Sequence, residues 1–505
     1  MNPRSISPVL LIVALSITAL PAAAANTPQV ARPHGVASPF MVKGPRAIPS
    51  GNKVGTNSDI FTCQVGMTPP FVCYDPYQMR HAYNIDTLIN AGFTGKGKTI
   101  VIVDAFQSPN IVDQLNVFDE TFDLPDLNGL GAPHDPRLGT FKQIAPDGLT
   151  EFDSNDGNMI NWAGEISLDV EWAHAIAPGA NITLVLAKTN DDADILSATQ
   201  YAVDHNLGDV ISQSFGENES CVDSSLLAAQ HNLFVKATQK HITLIASTGD
   251  DGAAQGTCDS TSFVRAASSP ASDPLVTAVG GTELHAADYC LLDLGCDPTT
   301  NPAPGTYQGE IVWNEEDLGF GATGGGFSVL DRTPFYQLGS VSLRKGRGVP
   351  DVAYNAAVAH GVLTYLDIPG IDPGIYLFGG TSAGSPQWAG IVAIAGQKAE
   401  RRLGFINATL YLFSAFPKTY SAQFNDVTRG NNSILEEDSD GNPVAITGFN
   451  AGIKWDAATG LGSPKADQVV SFLTLFTSDS DAKQAMNNSG PSGSHRSGHH
   501  RVRNH

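Results

Sequence analysis

Ser382 stands in the run Gly379-Gly380-Thr381-Ser382-Ala383-Gly384-Ser385-Pro386, directly after the apolar stretch Ile375–Phe378 and before the helical pattern Trp388–Gln397. A serine held between a strand and a helix N-terminus meets free backbone N–H groups and the positive end of the helix dipole, both of which favour negative charge. That placement suits a hydroxyl nucleophile with an oxyanion forming beside it. A glycine-rich turn capped by a serine would look the same over three residues, so the partners of Ser382 decide between the two.

A serine nucleophile needs a base. Gly380-Thr381-Ser382-Ala383-Gly384 matches the GxSxG elbow of α/β-hydrolases, which requires an acid and then a histidine downstream. The next histidine after Ser382 is His495, in a polar terminal segment, so this reading lacks its base. The reverse order of aspartate, histidine and serine finds an aspartate in Asp104, at the end of Thr99–Asp104. The histidines near it are His81, His134 and His174, and His174 lies in an apolar helical stretch that marks it as a packed core residue.

What fills the expected stretch is acid. Over Gly164–Ala177, residues Ile166, Val170, Ala173 and Ala177 share one helix face, and Glu165 and Asp169, four apart, project together from an adjacent half-buried face. Two such carboxyls share protons and one is pushed up, which allows Glu165 to serve as general base for Ser382 with Asp169 holding it in place. Taken alone, the pair also suits a solvated helix start. A third acid, Asp250, follows the strand pattern Ile242–Ser247 in Ser247-Thr248-Gly249-Asp250-Asp251-Gly252. Protonated, it could donate a hydrogen bond to the developing oxyanion, and the charge of Asp251 beside it would favour that form.

The elements that must position these groups alternate. Thr99–Asp104, Ile182–Ala187, Asp209–Ser214, Ile242–Ser247, Leu275–Val279 and Ile375–Phe378 read as buried strands, and Gly164–Ala177, Asp191–His205 and Ser224–Lys240 as helices between them. Alternation of this kind predicts an α/β fold: a mainly parallel sheet with helices on both faces, in a single large catalytic-type domain over 61–476. Ligands gather at the C-terminal ends of such strands, where the four candidate residues fall.

Residues 1–25 read as a signal peptide: Arg4, the apolar Val9–Leu20 and the small residues Ala22–Ala25. Residues 26–60 read as a linker or short leader, and 477–505 as a disordered tail whose His495, His499, His500 and His505 are solvated. Export predicts that the six cysteines pair. Fifteen connectivities exist in principle; short loops favour Cys63–Cys73 and Cys290–Cys296, which leaves Cys221–Cys258. With 51 acidic against 29 basic side chains among 505 residues, the net charge of −22 argues against a nucleic-acid partner. No segment beyond the leader is long and apolar enough for membrane insertion. The acidic loop Glu436–Gly441 has the wrong spacing for an EF-hand and reads as solvated.

Glu165-x-x-x-Asp169, Ser247-x-Gly249-Asp250 and Gly379-Gly380-Thr381-Ser382-Ala383, in this order, resemble the sedolisin family of serine-carboxyl peptidases. The similarity runs from about residue 80 to 470 and includes Ala278–Thr282 (AVGGT), Gly324–Ser328 (GGGFS) and Gly346–Ala353 (GRGVPDVA). The resemblance implies a subtilisin-like fold and a secreted acid-active peptidase, extracellular or periplasmic, an endopeptidase or a tripeptidyl-peptidase acting on polypeptide substrates as a monomer. It implies Ser382 as nucleophile, Glu165 as base, Asp169 as its partner and Asp250 as the oxyanion acid, with Ser212, Gln213, Ser214, Phe215 and Gly216 walling the substrate cleft. It further implies a Ca²⁺ site built from the carboxylates of Asp426 and Asp456 and the carbonyls of Val427, Gly452 and Lys454, where Lys454 replaces the family's usual glycine. The short stretch ahead of the catalytic region resembles members that lack the long prosegment. Alternatives are a catalytically silent secreted binding protein of the same fold and a subtilisin-type serine peptidase; the presence of all four site residues favours the serine-carboxyl enzyme.

Overall fold

The computed structural model describes residues 40–43, 47–48, 59–131, 133–291 and 294–476. The expected leader and tail, and most of 26–60, lie outside the described residues. The elements that position the site begin with β1 (Phe40–Lys43), β2 (Val72–Tyr74), β3 (Thr99–Ala105), α1 (Ile111–Phe122), β4 (Phe141–Ile144), α2 (Gly157–Ile176) and β5 (Asn181–Ala187). Next come α3 (Asp192–Asp204), β6 (Val210–Gln213), α4 (Ser224–Gln239), β7 (Thr243–Ser247) and β8 (Thr277–Ala286). The last are β9 (Tyr307–Val312), β10 (Val352–Asn355), β11 (His360–Leu366), β12 (Gly374–Gly379) and α5 (Gly384–Ala399).

The leucine-rich and β-branched runs of β3, β5, β6 and β7 form the middle of an eight-stranded sheet ordered β9-β8-β7-β6-β3-β5-β4, with β10 also paired to β8. Every pairing is parallel except β8 with β9. This is the α/β architecture that the alternation predicts. The strand order turns back at β3, between β5 and β6, and such a switch point opens a crevice at the strand C-termini. Asp104 ends β3, Ser214 follows β6 and Asp250 follows β7.

Four expectations are corrected. The strand expected at Leu275–Val279 starts at Thr277 and runs on to Ala286, carried past the sheet edge by antiparallel pairing with β9. Ile375–Phe378 does not join the main sheet. It lies in β12, within a separate four-stranded sheet ordered β1-β12-β11-β2. The seven residues between β11 and β12 are too few for a parallel crossover, so the two strands pair antiparallel, with Val362 opposite Phe378.

Helix α2 starts seven residues before the expected Gly164, because Asp156 caps it by accepting the N–H of Asn158 at 2.8 Å. Nor is it half-buried: from Trp162 to Ile176 every residue is buried. Trp172 Nε1 donates to Leu363 O of β11 at 3.1 Å, and a Cβ on Gly390 of α5 would sit 2.7 Å from Ile176. A helix clasped on all sides keeps its polar residues from water, whatever face they occupy. The three disulfides are Cys63–Cys73, Cys221–Cys258 and Cys290–Cys296, as expected. In the GRGVPDVA segment Arg347 Nη1 donates to Asp351 Oδ1 at 2.7 Å, and Asp351 Oδ2 accepts the N–H of Ala278 at 2.9 Å. This fully buried ion pair braces β8 against β10. Among the described residues no helix is long and apolar enough to cross a membrane.

Candidate active site

Ser382 lies in a single 3-10 turn, Thr381–Ala383, that links β12 to α5. Gly380 makes the turn possible. Its φ of +103° is in the region that favours glycine, and a Cβ there would come 2.6 Å from Asp250 Oδ2. Asp250 therefore packs directly on the backbone that leads into Ser382. Its Oδ1 accepts the N–H of Thr381 at 2.7 Å and the hydroxyl of Thr381 at 2.8 Å. Thr381 Oγ1 in turn accepts the N–H of Gly249 at 3.0 Å, so the turn and the β7 loop are locked together.

From the other side α2 presents Glu165 and Asp169, which are 1% and 0% exposed. Neither Glu165 oxygen nor Ser382 Oγ closes a hydrogen bond in this arrangement. Ser382 nevertheless lies near enough to Glu165 to favour its ionised form. Burial first, and then the charge of Asp169, push Glu165 well above the ordinary glutamate range. Burial and the charge of Asp104 do the same to Asp169, opposed by the Ser214 hydroxyl, which donates to Asp169 Oδ1 at 2.9 Å.

Asp104 is the member that the motif reading left out of the carboxyl set. It is fully buried, neither of its oxygens makes a hydrogen bond, and burial raises it to about 8. Its position at the end of a central strand was visible in the sequence, but its closeness to Glu165 and Asp169 is a product of the fold. Three carboxyls that act on one another in a dry site ionise one at a time. Two of the three histidines considered as bases are engaged elsewhere: His174 Nε2 is 2.9 Å from Pro125 O and 3.2 Å from Asp119, and His81 pairs with Asp86 at 2.7 Å.

The expected cleft wall divides. The Ser212 hydroxyl is 2.8 Å from that of Ser385 in the core, and Gln213 and Ser214 are buried. Phe215 and Gly216 line a cavity together with Asp192, Glu217 and Gln230. Burial and the neighbouring Asp192 raise Glu217 to about 8.

The residues expected to hold a cation are brought together. Asp426 accepts the Tyr420 hydroxyl at 2.8 Å and the N–H of Lys454 at 2.9 Å, while Asp456 Oδ2 accepts the N–H of Gly452 at 3.0 Å. Val427 adjoins Asp426 and is buried. Lys454 adopts a φ of +65°, the conformation that a glycine at this place would take without strain. The acidic loop after Glu437 is an exposed hairpin turn, with Asp438 Oδ1 accepting the N–H of Asn442 at 2.8 Å. Elsewhere, Glu283, His285 and His360 form a half-buried group able to hold a metal ion.

The profile of the subtilase family matches residues 156–409, from the cap of α2 to beyond α5. Kumamolisin of Bacillus sp. (strain MN-32) is 32% identical over 77% of this chain and 62% of its own length. Sedolisin of Pseudomonas sp. (strain 101) is 33% identical over 59% of this chain and 47% of its own. Tripeptidyl-peptidase 1 of Bos taurus is 28% identical over 61% and 51%. The chain thus spans less than two thirds of the length of these relatives. A solved structure of Pseudomonas sedolisin, a serine-carboxyl proteinase complexed with two molecules of pseudo-iodotyrostatin, aligns with a TM-score of 0.62 at 25% identity, over 80% of this chain and 98% of that one. With the serine turn, the acid-bearing helix and the β7 loop meeting as described, the chain belongs to the subtilase family and, within it, to the sedolisin branch.

Proposed function

We propose that this protein is a secreted, acid-active serine-carboxyl peptidase that hydrolyses peptide bonds in polypeptides through an acyl-enzyme on Ser382. The observation that carries this reading is the meeting of Ser382 with a buried cluster of carboxyls. Glu165 takes the Ser382 proton as the hydroxyl attacks the scissile carbonyl, and later returns it to the leaving amine. Asp169, held by Ser214, and Asp104 share protons with Glu165, so the base can ionise while its neighbours stay neutral. Asp250, seated on the turn before Ser382, donates a hydrogen bond from its protonated carboxyl to the oxyanion. A histidine base would be protonated in acid; in a cluster of coupled carboxyls the first proton lost leaves one group ionised while the others stay neutral. Ser212–Gly216 forms the cleft wall, with Phe215 and Gly216 as the part that meets substrate. The three disulfides support export to an oxidising compartment.

The test is cleavage of a denatured protein from acid to mildly alkaline pH, beside a Ser382→Ala control. Activity that peaks in acid and is absent from the control is the expected result. Activity that rises toward pH 8, or none at any pH, would reject the proposal.

Asp426 and Asp456, from separate segments, with the carbonyls of Val427, Gly452 and Lys454, fit Ca²⁺ in donor type, since all are hard oxygens. Both carboxylates lie close to Tyr420, and a dication would offset their repulsion. Bound there, Ca²⁺ would tie the loop 451–456 to the segment at Asp426. Calcium should raise the temperature of unfolding, and Asp426→Ala should abolish the gain. An equal gain in the variant would discard the site.

A further inference from the structure

We infer that Glu283, His285 and His360 form a zinc site that fastens the small sheet carrying the nucleophile's strand to the main sheet. Glu283 and His285, two apart on β8, point to the same face and alternate with the buried Leu284 and Ala286. His360 opens β11 in the other sheet. Glu283 Oε1 lies 3.1 Å from His285 Nε2 and 3.4 Å from His360 Nδ1, and the three ligand atoms are all within 4.8 Å of one another. A tetrahedral zinc with bonds of about 2.0–2.1 Å has ligand-to-ligand edges of about 3.3–3.4 Å. Two of the three edges are therefore set already, and a modest rotation of one imidazole sets the third.

Two further observations point to a ligand. His360 Nδ1 is buried and makes no hydrogen bond, although it faces the carboxylate. Asn355, itself buried, ties the two ligand-bearing segments into one frame: its side-chain amide donates to His360 O at 2.8 Å, and its Oδ1 accepts the N–H of Leu284 at 2.9 Å. Ligands held in this way lose little freedom when a metal binds. The His285 side chain is 42% exposed, which gives an ion a path in and leaves a fourth position for water. Two nitrogens and one carboxylate suit a borderline ion such as Zn²⁺ better than the hard Ca²⁺. The consequence is mechanical. His360 lies two residues before Val362, which pairs with Phe378 of β12, and Ser382 follows four residues later.

The inference does not depend on the peptidase reading, and its test is binding. Zinc is titrated near neutral pH into the full chain with His495, His499, His500 and His505 replaced by alanine, so that the terminal histidines cannot contribute. One zinc per chain is expected, and Co²⁺ in its place should give the intense visible absorption of a four- or five-coordinate ion. His285→Ala and His360→Gln should each weaken zinc binding at least tenfold, as removal of a ligand does. Zinc at a hundred times its dissociation constant should raise the folded-to-unfolded ratio about a hundredfold, and at the same zinc concentration the gain in both variants should fall to about tenfold or less. Unchanged zinc affinity in the variants, or the pale spectrum of octahedral Co²⁺, would overturn the site. Should His360→Gln fail to fold, the exposed His285→Ala and the cobalt spectrum still decide the matter.

Discussion

Glu165→Gln should lower kcat by about 10²–10⁴-fold while the protein stays folded, and above pH 5 the variant should unfold at a higher temperature than the parent. The two effects have one cause. Glu165 is the acid closest in function to Ser382, and glutamine keeps its shape but cannot take a proton. Burial and then Asp169 raise the folded-state pKa of Glu165 above its unfolded value. A raised carboxyl contributes stability that is complete below the unfolded pKa and is lost as pH climbs through the folded one. Glutamine has no ionisation to oppose, so it escapes that loss. Loss of kcat with a gain in stability identifies a strained catalytic group; loss of both would indicate a structural one. A variant that retains more than about a tenth of the activity would remove Glu165 from the role of base, given the usual size of general-base effects.

Asp104→Asn should flatten the dependence of stability on pH. Burial moves Asp104 from 3.8 to about 8. Between those values the folded protein keeps a proton that the unfolded chain releases, so stability falls with rising pH by up to about 1.4 kcal/mol per pH unit from this group. Across the window this amounts to several kcal/mol at most, since protons are shared within the cluster. The parent is expected to be most stable near pH 4 and to weaken toward pH 8. The asparagine variant should match it in acid and exceed it at pH 8. Thermal unfolding at a series of pH values measures this directly, and parallel curves for the two proteins would show that Asp104 is not held protonated.

Much of this was legible in the residues themselves. The central strands could be read because parallel strands buried on both faces carry uninterrupted runs of valine, isoleucine and leucine, as in Thr99–Ala105 and Asn181–Ala187. The acid-bearing helix was readable from its period and from Pro178-Gly179 after it. Loop length suggested the disulfide pairing, and the motif order singled out the four candidate site residues.

What the sequence could not contain was anything set by contacts between distant segments. The depth of α2 depends on β11 and α5 closing over it, some 190 to 215 residues later in the chain; that closure turns an amphipathic-looking face into a dry one and raises Glu165 and Asp169. Asp104 joins them only because the strand order turns back at β3. The assignment of β12 to a second sheet came from a short connection and its antiparallel pairing, although its composition resembles that of the main-sheet strands. The approach of His360 to Glu283 and His285 is likewise a meeting of two sheets. Local pattern by itself determined which residues form elements and which side chains have the chemistry, because periodicity and side-chain type are properties of neighbours along the chain. The tertiary structure alone decided which of those side chains share a protonation state, because desolvation and charge repulsion act through space over a few ångströms.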